Sequence, residues 1–171
     1  NSVALGQYAQ FAIKTDGTLW SWGYNTTGGL GQNDGVHYSS PVQIPGTTWS
    51  RVVANQGNGV LARKTDGTLW IWGDNYAGQL GQNSPGTTRV SSPVQLGSGA
   101  DWTDVFNGWS NNFVASKTDG SIWAWGNNTG GQLGQNSLTN YSSPIQIPGT
   151  WNAGDFGGSS RVCFVIKKVE A

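Results

Sequence analysis

Several features that mark common protein classes are scarce or missing in this sequence of 171 residues. It has no methionine, one histidine (His37) and one cysteine (Cys163), so it offers neither a histidine–cysteine zinc cluster nor the pair that an intrachain disulfide needs. Only 11% of the residues are charged, nine basic and nine acidic, which argues against the basic stripe of a nucleic-acid-binding protein. No run of about 18 apolar residues occurs, so no membrane span is predicted.

Two of these scarcities leave alternatives open. Cys163 lies between Val162 and Phe164, which favours a small buried side chain, although an interchain disulfide or a reactive thiol would also fit. The sequence starts at Asn1 without a methionine, which indicates a processed protein or a portion of a longer reading frame. Neither observation indicates a cellular compartment.

Glycine and tryptophan are abundant, with 27 and 10 residues, a composition typical of short strands joined by tight turns. They recur in a phrase that reads Lys-Thr-Asp-Gly-Thr-Leu-Trp-Ser-Trp-Gly from Lys14 and returns, slightly changed, at Lys64 and Lys117. Each copy is followed by Leu-Gly-Gln-Asn and then by Ser-Ser-Pro. A period of about 50 residues predicts stacked supersecondary units.

The first phrase predicts a hairpin in each repeat. Asp16-Gly17, Asp66-Gly67 and Asp119-Gly120 each separate two apolar runs, which predicts a type I′ turn with positive φ at both central residues. Alternation along the second strand places Trp20 and Trp22 on one face of the sheet. We expect this paired-Trp face to pack between neighbouring sheets; a role of some tryptophans in lining a ligand surface is the alternative.

The rest of each repeat predicts two further segments. Gly29-Leu30-Gly31 and its counterparts form a short third segment with glycines where positive φ is expected, and Pro41-Val42-Gln43-Ile44 begins the fourth, an outer strand where proline is tolerated. The fold is therefore predicted to be all-β, with propeller blades of four antiparallel strands, about three blades plus an extra terminal strand. We treat 1–171 as one repeat domain, with repeats at approximately 1–50, 51–103 and 104–153 and a partial repeat at 154–171.

These phrases resemble the regulator of chromosome condensation repeat family, also called alpha-tubulin-suppressor-like repeats. Gly78-Gln79-Leu80-Gly81 and Gly131-Gln132-Leu133-Gly134 fit the family pattern, and Gly28-Gly29-Leu30-Gly31 departs from it at one position. The resemblance covers essentially the whole chain and implies a β-propeller, usually of seven blades. It implies no single activity, because members include a nucleotide-exchange factor, a plant photoreceptor and a β-lactamase inhibitor. The exchange factor's wedge insertion and the photoreceptor's Gly-Trp-Arg-His-Thr clusters have no counterpart here, so neither activity is carried over.

The tail predicts an unfinished fourth unit. Residues 156–167 repeat the segment that ends at Lys14, and Lys168-Val169-Glu170-Ala171 stands where the next Asp-Gly hairpin would be. A propeller needs about four to eight blades to close, so we expect further blades, either elsewhere in a longer protein or from copies assembled head to tail. An isolated monomer is the less favoured alternative, because its last strand would expose an edge.

No enzyme constellation and no cofactor site are predicted. His37 is isolated in a loop, and the recurring aspartates Asp16, Asp66 and Asp119 are accounted for by turn chemistry. Three glycosylation sequons begin at Asn25, Asn127 and Asn140, a number that chance also explains in a chain rich in Asn and Thr.

Binding is expected to use the irregular loops, because loops on a rigid scaffold carry most recognition residues. These loops lie at residues 34–38, 84–90 and 137–141, one per blade; plain solvated loops are the alternative. The candidate binding residues are Asp34, His37, Tyr38, Thr88, Arg89, Asn140 and Tyr141.

We therefore predict a non-enzymatic binding or structural module that acts in a homo-oligomeric ring or filament or within a larger propeller. The expected partner is protein, through self-association or the remainder of a propeller; a surface receptor or glycan is a further candidate, and nucleic acid is not. Low charge and abundant Asn, Thr and Gly favour an extracellular or virion location over the cytoplasm. An intracellular regulatory domain of the guanine-nucleotide-exchange type is the alternative.

Overall fold

The computed structural model describes residues 2–84, 86, 88–108, 110–149 and 151, together with the backbone of two strands between residues 156 and 165. In these residues no helix is long and apolar enough to cross a membrane. The strands are β1 (Ser2–Leu5), β2 (Ala9–Ile13), β3 (Leu19–Gly23), β4 (Tyr38–Ile44), β5 (Trp49–Ala54), β6 (Gly59–Lys64), β7 (Leu69–Gly73), β8 (Val90–Gln95), β9 (Trp102–Asn107), β10 (Asn112–Lys117), β11 (Ile122–Gly126), β12 (Tyr141–Ile147), β13 (Phe156–Ser159) and β14 (Val162–Val165).

Twelve of these strands form three four-stranded antiparallel sheets, ordered β1-β2-β3-β4, β5-β6-β7-β8 and β9-β10-β11-β12. We call the sheets blades 1, 2 and 3. The first strands of neighbouring blades are in contact, β1 with β5 and β5 with β9, as in a propeller. The all-β propeller-blade prediction is thus confirmed. The breaks between blades lie at residues 45–48 and 96–101, a few residues before the predicted repeat boundaries.

Two segments differ from the prediction. The third segment, around Leu30, is a turn rather than a strand, although Gly31 has the expected positive φ of 71°. Each blade is instead completed by a strand that precedes its hairpin in the chain. In blade 2 this strand is β5, which starts at Trp49. Pro41 lies in β4 at the sheet edge, as predicted. Proline is tolerated there because its lack of an N–H removes no hydrogen bond between strands.

The tail contains two strands rather than one. β13 pairs with β14 antiparallel in the register that joins β1 to β2, with Phe156 opposite Val165 where Val3 stands opposite Ala12. The predictions for the Cys163 side chain and for residues 168–171 lie outside the described part of the chain.

The Asp-Gly hairpin turn has a different geometry from the predicted type I′. The Gly17 N–H donates to the Lys14 carbonyl at 3.0 Å and the Lys14 N–H donates to the Thr18 carbonyl at 2.9 Å. Gly17 has a φ of 79°, whereas Asp16 is not among the residues with positive φ. This pattern is a three-residue loop, a β-turn followed by one left-handed glycine, and it recurs at Gly67 and Gly120.

The blades pack face to face through two different surfaces. Blades 1 and 2 each present an apolar, mainly aliphatic face to the next blade along the chain; in blade 1 it contains Ile13, Leu19 and the ring of Phe11, and we call it the aliphatic face. The next blade meets it with a tryptophan face, here Trp49 and Trp72 of blade 2. Blades 2 and 3 repeat the arrangement with the aliphatic face of blade 2 and the tryptophan face of blade 3. The predicted packing of the Trp pair between sheets is therefore confirmed for blades 2 and 3.

A hydrogen bond fixes each tryptophan face to the preceding blade. The Trp72 indole N–H donates to the Gly29 carbonyl and the Trp125 indole N–H donates to the Gln79 carbonyl, both at 2.9 Å. Both side chains are fully buried. The loop that holds Gly29 is thus a docking point for the next blade, which explains why the Gly-Gln-Leu-Gly phrase accompanies the Trp pair.

Candidate binding surfaces

A buried asparagine organises the base of each candidate loop. Asn25, Asn75 and Asn128 are at most 2% exposed. The side-chain oxygen of Asn75 accepts the Leu80 N–H at 3.0 Å, and its amide donates to the Ser84 carbonyl at 2.7 Å. The other two asparagines make the same pair of bonds in their blades. These contacts clamp the turn to the following loop, so the loop starts from a fixed point in every blade.

These asparagines were not predicted from the sequence, although their position in the repeat indicates them. Each stands two residues after the Trp-Gly strand end, in all three repeats. The structure also bears on the sequon at Asn25. Its amide is buried and hydrogen-bonded to Asp34, so it is not an accessible glycan acceptor.

In blades 1 and 3 a side chain at the end of the loop accepts a hydrogen bond from the backbone N–H of the buried asparagine. The Asn25 N–H donates to His37 Nδ1 at 2.9 Å, and the Asn128 N–H donates to the side-chain oxygen of Asn140 at 2.8 Å. Both candidate binding residues thus have a structural contact, while their side chains remain exposed.

The equivalent position in blade 2 is Arg89. Its guanidinium Nε lies 3.8 Å from an oxygen of Asp74, and Asp74 itself accepts the Asn75 N–H at 2.9 Å. The arginine side chain is 57% exposed, so the ion pair contributes little to stability, and most of the guanidinium faces solvent. Thr88 beside it is also exposed.

Asp34 and Tyr38 form one unit within the first loop. The Tyr38 hydroxyl donates to Asp34 Oδ2 at 2.8 Å, and this hydrogen bond is the main cause that raises the pKa of Tyr38. Asp34 Oδ1 accepts from the Asn25 amide and the Val36 N–H. Tyr141, the counterpart of Tyr38 in blade 3, packs against the hydrophobic cluster of Val114, Ile122, Ala124 and Leu133.

The structure therefore brings Asp34, His37 and Tyr38 together in blade 1. No hydrogen bond among the described residues joins candidates from different loops. Within the same residues no group of three or more His, Cys, Asp or Glu side chains could hold a metal ion.

A second candidate surface is the tryptophan face of blade 1, which no described residue covers. Val3 is 68% exposed there, whereas its counterparts Val52 and Val105 in blades 2 and 3 are 1% and 0% exposed. Leu5 is 69% exposed, and Trp22 is half-buried where Trp72 is fully buried. We call this surface the open face. Its residues are apolar, as in an interface between blades, but they are exposed to solvent.

Comparison with known proteins supplies the family. The model of the regulator of chromosome condensation (RCC1) repeat matches residues 16–54, 66–115 and 119–154. The mitochondrial RCC1 domain-containing protein RUG3 of Arabidopsis thaliana is 31% identical over 148 residues, which are 85% of this chain and 33% of RUG3. The chain thus spans about a third of the length of that relative.

Solved structures share the fold. Prp20p of Saccharomyces cerevisiae matches with a TM-score of 0.76 and 21% identity, over 86% of this chain and 38% of Prp20p. Human WBSCR16 matches with a TM-score of 0.59 and 19% identity, over 96% of this chain and 57% of that protein. With the repeat model matching most of its length, this chain belongs to the regulator of chromosome condensation (RCC1) repeat family.

Proposed function

We propose that this chain is a non-enzymatic, protein-binding segment of an RCC1-type β-propeller, and that its open face binds another blade of the same type. The observation that carries the proposal is the contrast between Val3, which is 68% exposed, and its buried counterpart Val52. Burying an aliphatic side chain of this size contributes about 1.5–3 kcal/mol, so covering the open face is favourable. The aliphatic faces of blades 1 and 2, which already cover the tryptophan faces of blades 2 and 3, are examples of the kind of surface that would cover it.

The blade that covers the open face comes either from a second copy of this chain or from further sequence of the same protein. A head-to-tail contact between copies would form a ring if the rotation closes and a filament if it does not. Either source gives a larger propeller that presents the loops with Asp34, His37 and Arg89 side by side. We propose these loops as the surface that binds a partner protein.

The first experiment measures the mass of the chain by sedimentation velocity over a range of concentrations. We expect reversible association that is weakened at least about tenfold in a Val3→Asp/Leu5→Asp variant, because charges placed on the open face would be desolvated in the contact. The matched control is Leu138→Asp, a 67% exposed leucine on a loop. A chain that stays monomeric at high concentration would sink self-association, and the same loss in the control would sink the role of the open face.

A second candidate function rests on the fold likeness to Prp20p. Prp20p has binding properties to Gsp1p and histones, and yeast RCC1 (Prp20) has been crystallised with Kap60 bound. A regulatory role in protein binding or nucleotide exchange therefore fits about as well. It predicts that the chain accelerates release of fluorescent GDP from Gsp1p, and unchanged release would remove this candidate.

Location is best tested directly. RUG3 is named as mitochondrial, so this relative gives no support to the extracellular or virion preference that composition suggested. Fractionation of source cells with an antibody to the chain would distinguish these compartments.

A further inference from the structure

Three ring side chains form an exposed group on the loop side of blade 1. Tyr8 follows β1, Tyr24 follows β3 and His37 precedes β4. The Tyr8 and Tyr24 rings meet edge to face at 5.8 Å, and the Tyr24 ring stacks on His37 at 4.4 Å with 22° between planes. Tyr8 is 58% and Tyr24 is 46% exposed. We call this group the aromatic array; two of its three rings lie outside the loops that the sequence singled out.

The scaffold does not require rings at these positions. The Tyr24 N–H donates to the Tyr8 carbonyl, and the same backbone bond joins Asp74 to Asn58 and Asn127 to Asn111. The equivalent positions are therefore Asn58, Asp74 and Arg89 in blade 2 and Asn111, Asn127 and Asn140 in blade 3. Asn58 and Asn111 have a positive φ of 59° and 54°, unlike Tyr8, but polar, non-aromatic residues make the same backbone hydrogen bond, so that bond does not require the rings of blade 1.

A small cleft with an unpartnered donor adjoins the array. Tyr24, Gly29, Asn55 and Asn58 help to line a cavity of about 10 Å³ between blades 1 and 2. Asn55 is 1% exposed, and its side-chain oxygen accepts the N–H groups of Gly57 and Gly59. Its amide nitrogen has no partner among the described residues. A space of this size accommodates one water molecule or one ligand hydroxyl, which would satisfy the amide.

The carboxylates beside the array are already hydrogen-bonded within the chain. The Asp34 carboxylate is already engaged by Asn25, Val36 and Tyr38. The Asp74 carboxylate is engaged by the Asn75 N–H and faces Arg89. Both carboxylates are therefore occupied by hydrogen bonds within the chain, whereas the Arg89 side chain is 57% exposed and stays open to a polar group of a ligand. Partly exposed tyrosine rings combined with amide donors suit a ligand that has apolar C–H faces and hydroxyl groups.

We propose that the aromatic array binds a neutral carbohydrate. The sugar units contact the exposed parts of the Tyr8 and Tyr24 rings, and one hydroxyl enters the cleft to accept from the Asn55 amide. His37 Nδ1 accepts the Asn25 N–H, so the neutral imidazole carries its proton on Nε2, which donates to a second hydroxyl. This site is independent of the open face, because it needs only blades 1 and 2.

The experiment titrates the chain with cellohexaose, mannohexaose and chitohexaose and follows the tyrosine ring signals by NMR. We expect at least one of these probes to shift the Tyr8 and Tyr24 resonances in a saturable way. Tyr24→Ala and Tyr8→Ala should each weaken that binding about tenfold or more, since each removes a stacking surface. Tyr8→Phe keeps the ring and should bind nearly as well as the unmodified chain.

The matched control is Tyr76→Ala, because Tyr76 is 74% exposed on a loop of blade 2 and outside the array. Its binding should be unchanged, and circular dichroism confirms that each variant is folded. A separate titration with tetramethylammonium chloride tests a cation as the ligand. The proposal is overturned if no oligosaccharide shifts the two tyrosines, if Tyr76→Ala weakens binding as much as Tyr24→Ala, or if only tetramethylammonium binds.

Discussion

At the scale of single residues, the side chains of the repeated phrase contact one another in series around one hairpin. The Trp20 indole N–H donates to the Thr18 hydroxyl at 2.9 Å, and that hydroxyl donates to Asp16 at 2.6 Å. The Lys14 ammonium lies 3.6 Å from the centre of the Trp20 ring, a cation–π contact. Blades 2 and 3 repeat the network, with Ser121 in place of the threonine in blade 3. The phrase recurs because each of these residues supports the next.

The hairpin aspartates predict a loss of stability in acid. Hydrogen bonds from the side chain and backbone of Thr18 lower the pKa of Asp16 from its ordinary value of 3.8, and the pKa values of Asp66 and Asp119 are lowered in the same way. Because the folded pKa is the lower one, this stabilisation is present above about pH 3.8 and is lost as pH falls through the folded value. The triple variant Asp16→Asn/Asp66→Asn/Asp119→Asn should flatten the decline of the unfolding free energy below pH 4.

Urea unfolding at pH 7 and at steps between pH 4.5 and 2 measures this effect. A Thr18→Val/Thr68→Val/Ser121→Ala variant removes the side-chain donors and keeps the carboxylates, so its decline should also be shallower than that of the unmodified chain. Parallel curves for all three proteins would show that other groups cause the acid sensitivity.

The candidate residues show what a sequence can predict at this scale. The loops that hold His37 and Asn140 were recognisable from their irregularity, but the contact of each with a backbone N–H was not. That contact depends on the buried Asn25 and Asn128, more than ten residues earlier in the chain. A lone histidine in a loop carries no sign of such a partner.

At the scale of elements, the hairpin position was predictable and its geometry was not. An Asp-Gly pair between strands fits a two-residue turn, with both residues at positive φ, and also a three-residue turn that needs only the glycine there. The Thr18 hydrogen bonds to the Asp16 carboxylate accompany the three-residue form. A sequence that satisfies both templates locally cannot decide between them, whereas the register of β2 and β3 does.

Three glycines at positive φ, Gly17 and Gly67 in hairpin turns and Gly97 between blades 2 and 3, predict a graded series of losses of stability. Gly97→Ala places a Cβ at a φ of 65° with no described atom within 4 Å, so it should cost about 1–2 kcal/mol through backbone strain alone. Gly67→Ala adds a clash, because the new Cβ would lie 2.2 Å from the Ala100 carbonyl oxygen. Gly17→Ala should fall between them, since its Cβ would approach the Thr48 nitrogen at 3.1 Å.

Urea unfolding of the three alanine variants checks the order. We expect Gly67→Ala to lose at least about 2 kcal/mol more than Gly97→Ala, a size typical of a forced backbone shift. Equal losses in all three would mean that strain at positive φ accounts for the whole effect and that the blade contact at Ala100 gives way easily.

At the scale of the whole molecule, the blades are stacked so that the aliphatic face of one packs against the tryptophan face of the next. The repeat period and the Trp pair were enough to predict the blades and the packing of Trp72 between them. The exposure of Trp22 could not be predicted in the same way, because Trp22 and Trp72 stand in the same phrase. Only the arrangement of blades distinguishes a tryptophan that meets an aliphatic face from one that lies on the open face.

This difference gives the last prediction, a comparison of Trp72→Phe with Trp22→Phe. Trp72→Phe removes the 2.9 Å bond to the Gly29 carbonyl inside a buried contact, so it should lower the unfolding free energy by about 1–3 kcal/mol. The Trp22 indole N–H donates to no described residue, and its loss should change the stability of the dissociated chain by less than about 0.5 kcal/mol.

Sedimentation velocity of the same variants then separates folding from assembly. If another blade covers the open face, Trp22 gains the bond that Trp72 already has, and Trp22→Phe should weaken association about tenfold while unfolding is unchanged. A Trp22→Phe variant that associates like the unmodified chain would show that the partner of the open face does not dock as the blades dock on one another. The two tryptophans, which occupy the same position of the repeated phrase, would then differ in their hydrogen bonding as well as in exposure.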